Sequence, residues 1–82
     1  MINKLPEWFT QEVYKKGGEI TNPLTGDTTD LTPEELSMYD FIKGYEIISA
    51  LDLNSDALLE EYIEGITWFK ETNPKAYMVL LD

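Results

Sequence analysis

The chain contains no cysteine, no histidine and no arginine. Each absence closes a route to function. Without cysteine there is no disulfide framework, no thiolate nucleophile and no cysteine-based zinc site. Without histidine, the commonest general base and the commonest transition-metal ligand are missing. Without arginine there is no planar fork to clamp a phosphate or a carboxylate. Triad hydrolysis, zinc hydrolysis and arginine-finger phosphoryl transfer are excluded in their usual forms. The expectation is a protein that is not an enzyme and uses no cofactor and no metal. Positive charge is also scarce: six lysines face 16 Asp and Glu, for a net charge of −10. Direct nucleic-acid binding needs a basic stripe that releases counterions, and the sign here is wrong. No apolar run approaches the ~20 residues of a membrane span. The first residues, Met1 to Glu7, lack the apolar core of a signal peptide. No membrane association and a cytoplasmic location are therefore expected.

What is present suffices to fold. Apolar residues are 43% and aromatics 12% of the 82 residues, enough to offset chain entropy. The length suits a single domain over 1–82. Such a chain removes roughly 60–65% of its unfolded surface from water, which allows one modest core and no deep substrate chamber.

Local signals divide the chain. Leu5, Trp8, Phe9 and Val13 recur at helical spacing behind Pro6, which suits a first helical position. They predict a short helix over 6–16, closed by Gly17-Gly18. Glu19-Ile20-Thr21 and Thr28-Thr29-Asp30-Leu31 flank the turn-forming Asn22-Pro23-Leu24-Thr25-Gly26-Asp27 and predict a small β-hairpin. Thr32-Pro33-Glu34-Glu35 is a capping box, with Leu31 and Leu36 at the staple positions. It opens a helix over 32–51. That helix is apolar on two sides, Met38, Phe41, Ile42, Tyr45 and Ile48 against Leu36, Tyr39, Ile47, Ala50 and Leu51, as expected of a central helix packed from both directions. Gly44 lies between the two faces, where a missing Cβ lets another element approach.

Asn54 is the expected N-cap of the next helix, with Leu53 and Leu58 as a staple. The helix runs to about Thr72, with Leu58, Leu59, Tyr62, Ile63, Ile66 and Phe69 as its buried stripe. Asn73-Pro74 stops it. The apolar tail from Tyr77 to Leu81 reads either as a last short helix or as a strand docked on the core. The expected fold class is mainly α: two long antiparallel helices, a short N-terminal helix and a small β-hairpin.

Three constellations carry chemical content. Asp52-Leu53-Asn54-Ser55-Asp56 opens like a calcium loop, but Ala57 and Ile63 stand where that loop needs Gly and Glu. A helix N-terminus explains the same residues. Asp56, Glu60, Glu64 and Glu71 share one helix face with no lysine on it. They read as a docking ridge for a basic protein or as an ordinary solvated face. Trp68 projects beside that ridge, either as an interface anchor or as a side chain covered by the N-terminal or C-terminal segment. Trp8 and Phe9 pose the same question. Asp40 and Lys43 are spaced to pair, as a rim ion pair of little energetic weight.

Leu5-Pro6-Glu7-Trp8-Phe9, the Asn22-Pro23-Leu24-Thr25-Gly26 turn, Glu35-Leu36-Ser37-Met38-Tyr39-Asp40, and Trp68-Phe69-Lys70 with Asn73-Pro74-Lys75-Ala76-Tyr77-Met78-Val79-Leu80-Leu81-Asp82 together resemble a family of small uncharacterised proteins of tailed marine phages, particularly cyanophages. The resemblance covers most of the chain and rests on turn, cap and packing residues. It implies a phage protein made in the bacterial cytoplasm and acting on a host protein, and it brings no catalytic or ligand residues. The lack of Arg also fits coding by an AT-rich genome.

The functional expectation is an acidic, non-enzymatic protein-interaction module that binds a host or phage protein through Asp56, Glu60, Glu64, Glu71 and Trp68. One alternative is a nucleic-acid mimic that occupies the basic groove of a DNA- or RNA-binding protein. Another is a small assembly subunit, a homodimer that buries one side of the central helix.

Overall fold

In the computed structural model, which describes residues 4–51 and 56–81, the backbone is organised by caps and turns. Strands β1 (Gly18–Thr21) and β2 (Thr28–Leu31) pair antiparallel with Ile20 opposite Thr29 and Gly18 opposite Leu31. The loop between them is closed by Asn22 and Gly26. The Asn22 N–H donates to the Asp27 carbonyl at 2.8 Å, and the Asn22 side chain accepts from the Leu24 N–H at 2.8 Å. Gly26 adopts φ +82°, a conformation open to glycine. Helix α1 (Pro33–Ala50) starts with the expected capping box. The Thr32 hydroxyl accepts from the Glu35 N–H at 3.2 Å, and Glu35 Oε1 accepts from the Thr32 N–H at 3.0 Å. Helices α2 (Asp56–Thr72) and α3 (Pro74–Leu80) follow.

Helices α1 and α2 run antiparallel. Tyr39 meets Phe69 early in α1 and late in α2, whereas Tyr45, further along, stacks on the earlier Tyr62 with ring centroids 4.3 Å apart. Gly65 sits at a tight contact between them. A Cβ there would lie 2.9 Å from Met38 Sδ and within 3.7 Å of Trp8 and Phe41. The core comprises Leu31, Met38, Ile42, Phe69, Ala76 and Leu80. It is drawn from the hairpin, the first half of α1, the end of α2 and α3.

The expected short N-terminal helix over 6–16 does not form; the short helix is C-terminal. Residues 6–9 make one turn, with the Phe9 N–H on the Pro6 carbonyl at 3.0 Å, and the chain then runs without regular structure to Gly17. Consecutive side chains on a helix diverge by 100°. Here the consecutive Trp8 and Phe9 both pack on one ring, Phe41, at 5.5 and 5.9 Å. An eleven-residue helix is also too short to sustain itself on local propensity, so tertiary packing decides the conformation. Gly17 therefore closes no helix. Its missing Cβ would sit 1.9 Å from the Leu31 carbonyl oxygen, so glycine is what lets the chain pass the end of β2.

At the C-terminus the helix alternative holds and the strand does not. Asn73 caps α3 through the Ala76 N–H at 3.1 Å, and Pro74 occupies the first turn. Ala76 and Leu80, four residues apart, are both buried. A helix satisfies its own backbone groups, whereas a strand here would need an edge to pair with. Two asparagines tie this end together. Asn73 Nδ2 donates to Glu35 Oε1 at 3.0 Å, which gives that buried carboxylate a second donor. Asn22 Nδ2 donates to the Val79 carbonyl at 2.8 Å. Among the described residues, no helix is long and apolar enough to cross a membrane.

Candidate functional site

The strap from Gln11 to Lys15 crosses α1 and walls a groove of about 570 Å³. Tyr14 holds it there twice. Its N–H donates to Ser37 Oγ at 2.9 Å, and its hydroxyl donates to Asp40 Oδ2 at 2.8 Å. Ser37 is buried and its hydroxyl donates in turn to the Pro33 carbonyl at 2.7 Å. The bond to Asp40, followed by the carboxylate's charge, raises the Tyr14 pKa above 10.0. The expected Asp40–Lys43 pair is absent. Asp40 is engaged by Tyr14, and Lys43 pairs with Glu46 at 3.3 Å, one turn further along. Glu46 also accepts from the Tyr62 hydroxyl at 3.2 Å; burial first, then the Glu46 charge, raises the Tyr62 pKa above 10.0.

The groove floor is Phe41, Gly44, Tyr45 and Ile48 of α1, with Leu58 of α2 beside them. Gly44 does not serve the role expected of it, because a Cβ there would meet nothing within 4 Å. None of the described residues uses the space, and the close approach belongs to Gly65 instead. Ile47 and Leu51, outside the groove toward the end of the same helix, are 63% and 64% exposed. The two-sided packing expected of α1 is thus found only near its start, where Leu36 and Tyr39 are half-buried against the core.

On α2 the predicted buried stripe is only partly buried. Phe69 is fully enclosed, Leu58, Tyr62 and Ile66 are half-buried, and Leu59 and Ile63 are exposed. Asp56, Glu60, Glu64 and Glu71 all face solvent. None has an ion-pair partner among the described residues, where the one ion pair is Lys43–Glu46. Trp68 is half-buried beside them, and its Nε1 donates to the Lys4 carbonyl at 2.9 Å. The N-terminal segment therefore meets it at Lys4, ahead of the 6–9 turn, rather than through a helix. Asn54 as N-cap, the Leu53–Leu58 staple and the calcium-like Asp52–Asp56 loop fall on 52–55 and lie outside the described residues. Among the described residues no three carboxylates converge in a way that would hold a metal ion.

Sequence reasoning found the acidic ridge but missed the groove. Its signal was present in part: Phe41, Tyr45 and Ile48 lie on one apolar side of the helix, with Gly44 at its edge. The strap that walls it depends on Tyr14 reaching residues 23 and 26 positions away, which local spacing does not reveal. No protein-family model matches this chain, and neither a curated protein nor a solved structure matches it.

Proposed function

We propose that the chain is a non-enzymatic protein-interaction module that binds a basic surface on a host or phage protein. One observation carries this reading. Exposed apolar side chains, Ile47 and Leu51 at the end of α1 and Leu59 and Ile63 of α2, stand on the same helix pair as the exposed α2 carboxylates Asp56, Glu60, Glu64 and Glu71, which have no ion-pair partner among the described residues. Apolar contact supplies affinity, and unneutralised charge supplies steering and choice of partner. The test uses the whole chain as bait in a host lysate, with retained proteins eluted by salt. The same bait carrying Asp56→Asn, Glu60→Gln, Glu64→Gln and Glu71→Gln is the control. The reading expects a partner that elutes with salt and is reduced on the neutralised bait. A bait that retains nothing specific overturns it.

The solvent-facing ridge of Asp56, Glu60 and Glu64, spaced by four residues on α2, favours a second reading as a nucleic-acid mimic. Successive groups lie about 6 Å apart on such a ridge. In that reading duplex DNA competes for the captured partner. Capture that DNA does not displace excludes the mimic and leaves the module.

A further inference from the structure

We infer that the groove between the 11–15 strap and α1 receives a cationic amphipathic helix of the partner, laid across Gly44. This rests on the interaction reading above and names the partner's chemistry. Phe41, Gly44 and Ile48 floor the groove, and the exposed Ile47 and Leu51 stand outside it toward the end of α1, three and seven residues beyond Gly44. These five residues are uncharged, and Asp40 stands one turn before Gly44 at the end of the strip. An apolar helix face meets such a strip through anchors at the same i, i+3, i+4, i+7 spacing.

Gly44 is the specific sign. A glycine inside a helix is a poor helix former, and here none of the described residues occupies the space it leaves. A facing helix does so, because a missing side chain at the crossing brings two helix axes toward the short end of the 8–10 Å range. The wall is already formed, since both Tyr14 bonds hold the strap on α1.

Charge selects the occupant. Glu12 and Asp40 edge the groove against one cation, Lys15. A second copy of this chain would bring another −10 to the face, and like charge opposes association. A helix with Lys or Arg flanking an apolar face complements both features.

The probe is an 18-residue amphipathic peptide of leucine and lysine, with a leucine and glutamate peptide of the same pattern as control. Binding to the whole chain is followed by calorimetry. The lysine peptide is expected to bind and the glutamate peptide not to bind. Gly44→Leu, and separately Ile47→Ser with Leu51→Ser, should each weaken binding about tenfold or more. Glu12→Gln with Asp40→Asn should weaken it several-fold and flatten its salt dependence. Neutralising the α2 ridge should change it by less than the groove variants do. Circular dichroism and thermal melting of each variant separate lost binding from lost folding. Gly44→Leu has open space to enter and should keep the melting temperature.

Absence of lysine-peptide binding overturns the inference, as does equal binding of the glutamate peptide. Loss on neutralising the ridge with Gly44→Leu unaffected moves the contact to α2 and leaves the interaction module standing. A dimer in sedimentation that Gly44→Leu converts to monomer overturns it in favour of a second copy as the occupant.

Discussion

The two ends of the α1–α2 pair are built from similar residues and meet opposite fates. At one end Met38, Ile42 and Phe69 are wholly enclosed, with Leu31, Ala76 and Leu80 packed around them. At the other end Ile47, Leu51 and Ile63, no less apolar, stand 55–64% exposed. Reach explains the difference. At 1.5 Å per residue, α1 is about 27 Å long and α3 about 10 Å. A seven-residue third helix and a hairpin of two four-residue strands cover one half of the pair; among the described residues only the 11–15 strap lies over the other half. In an 82-residue chain, apolar surface left outside after the core is complete is surface available to another molecule.

Mutations at the two ends should therefore differ in cost. Phe69→Ala removes the largest enclosed side chain and should destabilise by about 3–5 kcal/mol in urea unfolding. Ile63→Ala at the open end should cost well under half of that; equal losses would erase the comparison. Gly17→Ala, with its Cβ driven onto the Leu31 carbonyl oxygen, should cost about 1–3 kcal/mol. Gly18→Ala next to it meets nothing and should be near neutral. Asn73→Ala uncaps α3 and removes a donor from buried Glu35; a loss of about 1–2 kcal/mol is expected.

At the open end the sign should reverse. Gly44→Ala should stabilise by up to about 1 kcal/mol, because helix propensity improves and no contact is lost. Gly65→Ala has the same propensity gain but meets Met38 Sδ at 2.9 Å, so its gain should be smaller or negative. Equal responses at the two glycines would mean that the open space at Gly44 is filled in solution.

The smallest effect is in pH. The Tyr62 hydroxyl has its pKa raised above 10.0 by burial and by Glu46. The folded state then holds its proton where the unfolded chain loses it. This stabilisation is full below pH 10, falls as pH rises beyond it, and is gone above the folded pKa. Tyr62→Phe should show a shallower loss of stability between pH 9 and 11 than the parent chain, measured by urea unfolding at each pH.

Most of the fold was legible wherever the deciding contacts lie within a few residues. The capping box at Thr32, the hairpin around Asn22–Gly26 and the stop at Asn73-Pro74 are local hydrogen bonds and dihedral constraints, and the chain carries them wherever it goes. The ridge of Asp56, Glu60, Glu64 and Glu71 was equally legible, since helical spacing and the absence of lysine place like charges in water. Residues 6–16 were misread because helical spacing there competes with a tertiary demand: Trp8 and Phe9 both close on Phe41, and Tyr14 bonds across to Ser37 and Asp40. The close approach expected at Gly44 occurs at Gly65 instead, because which glycine meets a neighbour depends on how the helices pack.

Composition and local pattern by themselves determined a helical, acidic chain without the usual reactive groups, the start of α1, the hairpin and the exposed carboxylates. Only tertiary structure decided which half of the apolar surface is enclosed, that Gly65 rather than Gly44 carries the close helix contact, and that a strap walls a groove beside α1. Caps, turns and charge are settled by neighbours in sequence. Enclosure depends on how far α3 and the hairpin extend over the long helices, which no stretch of the chain records alone.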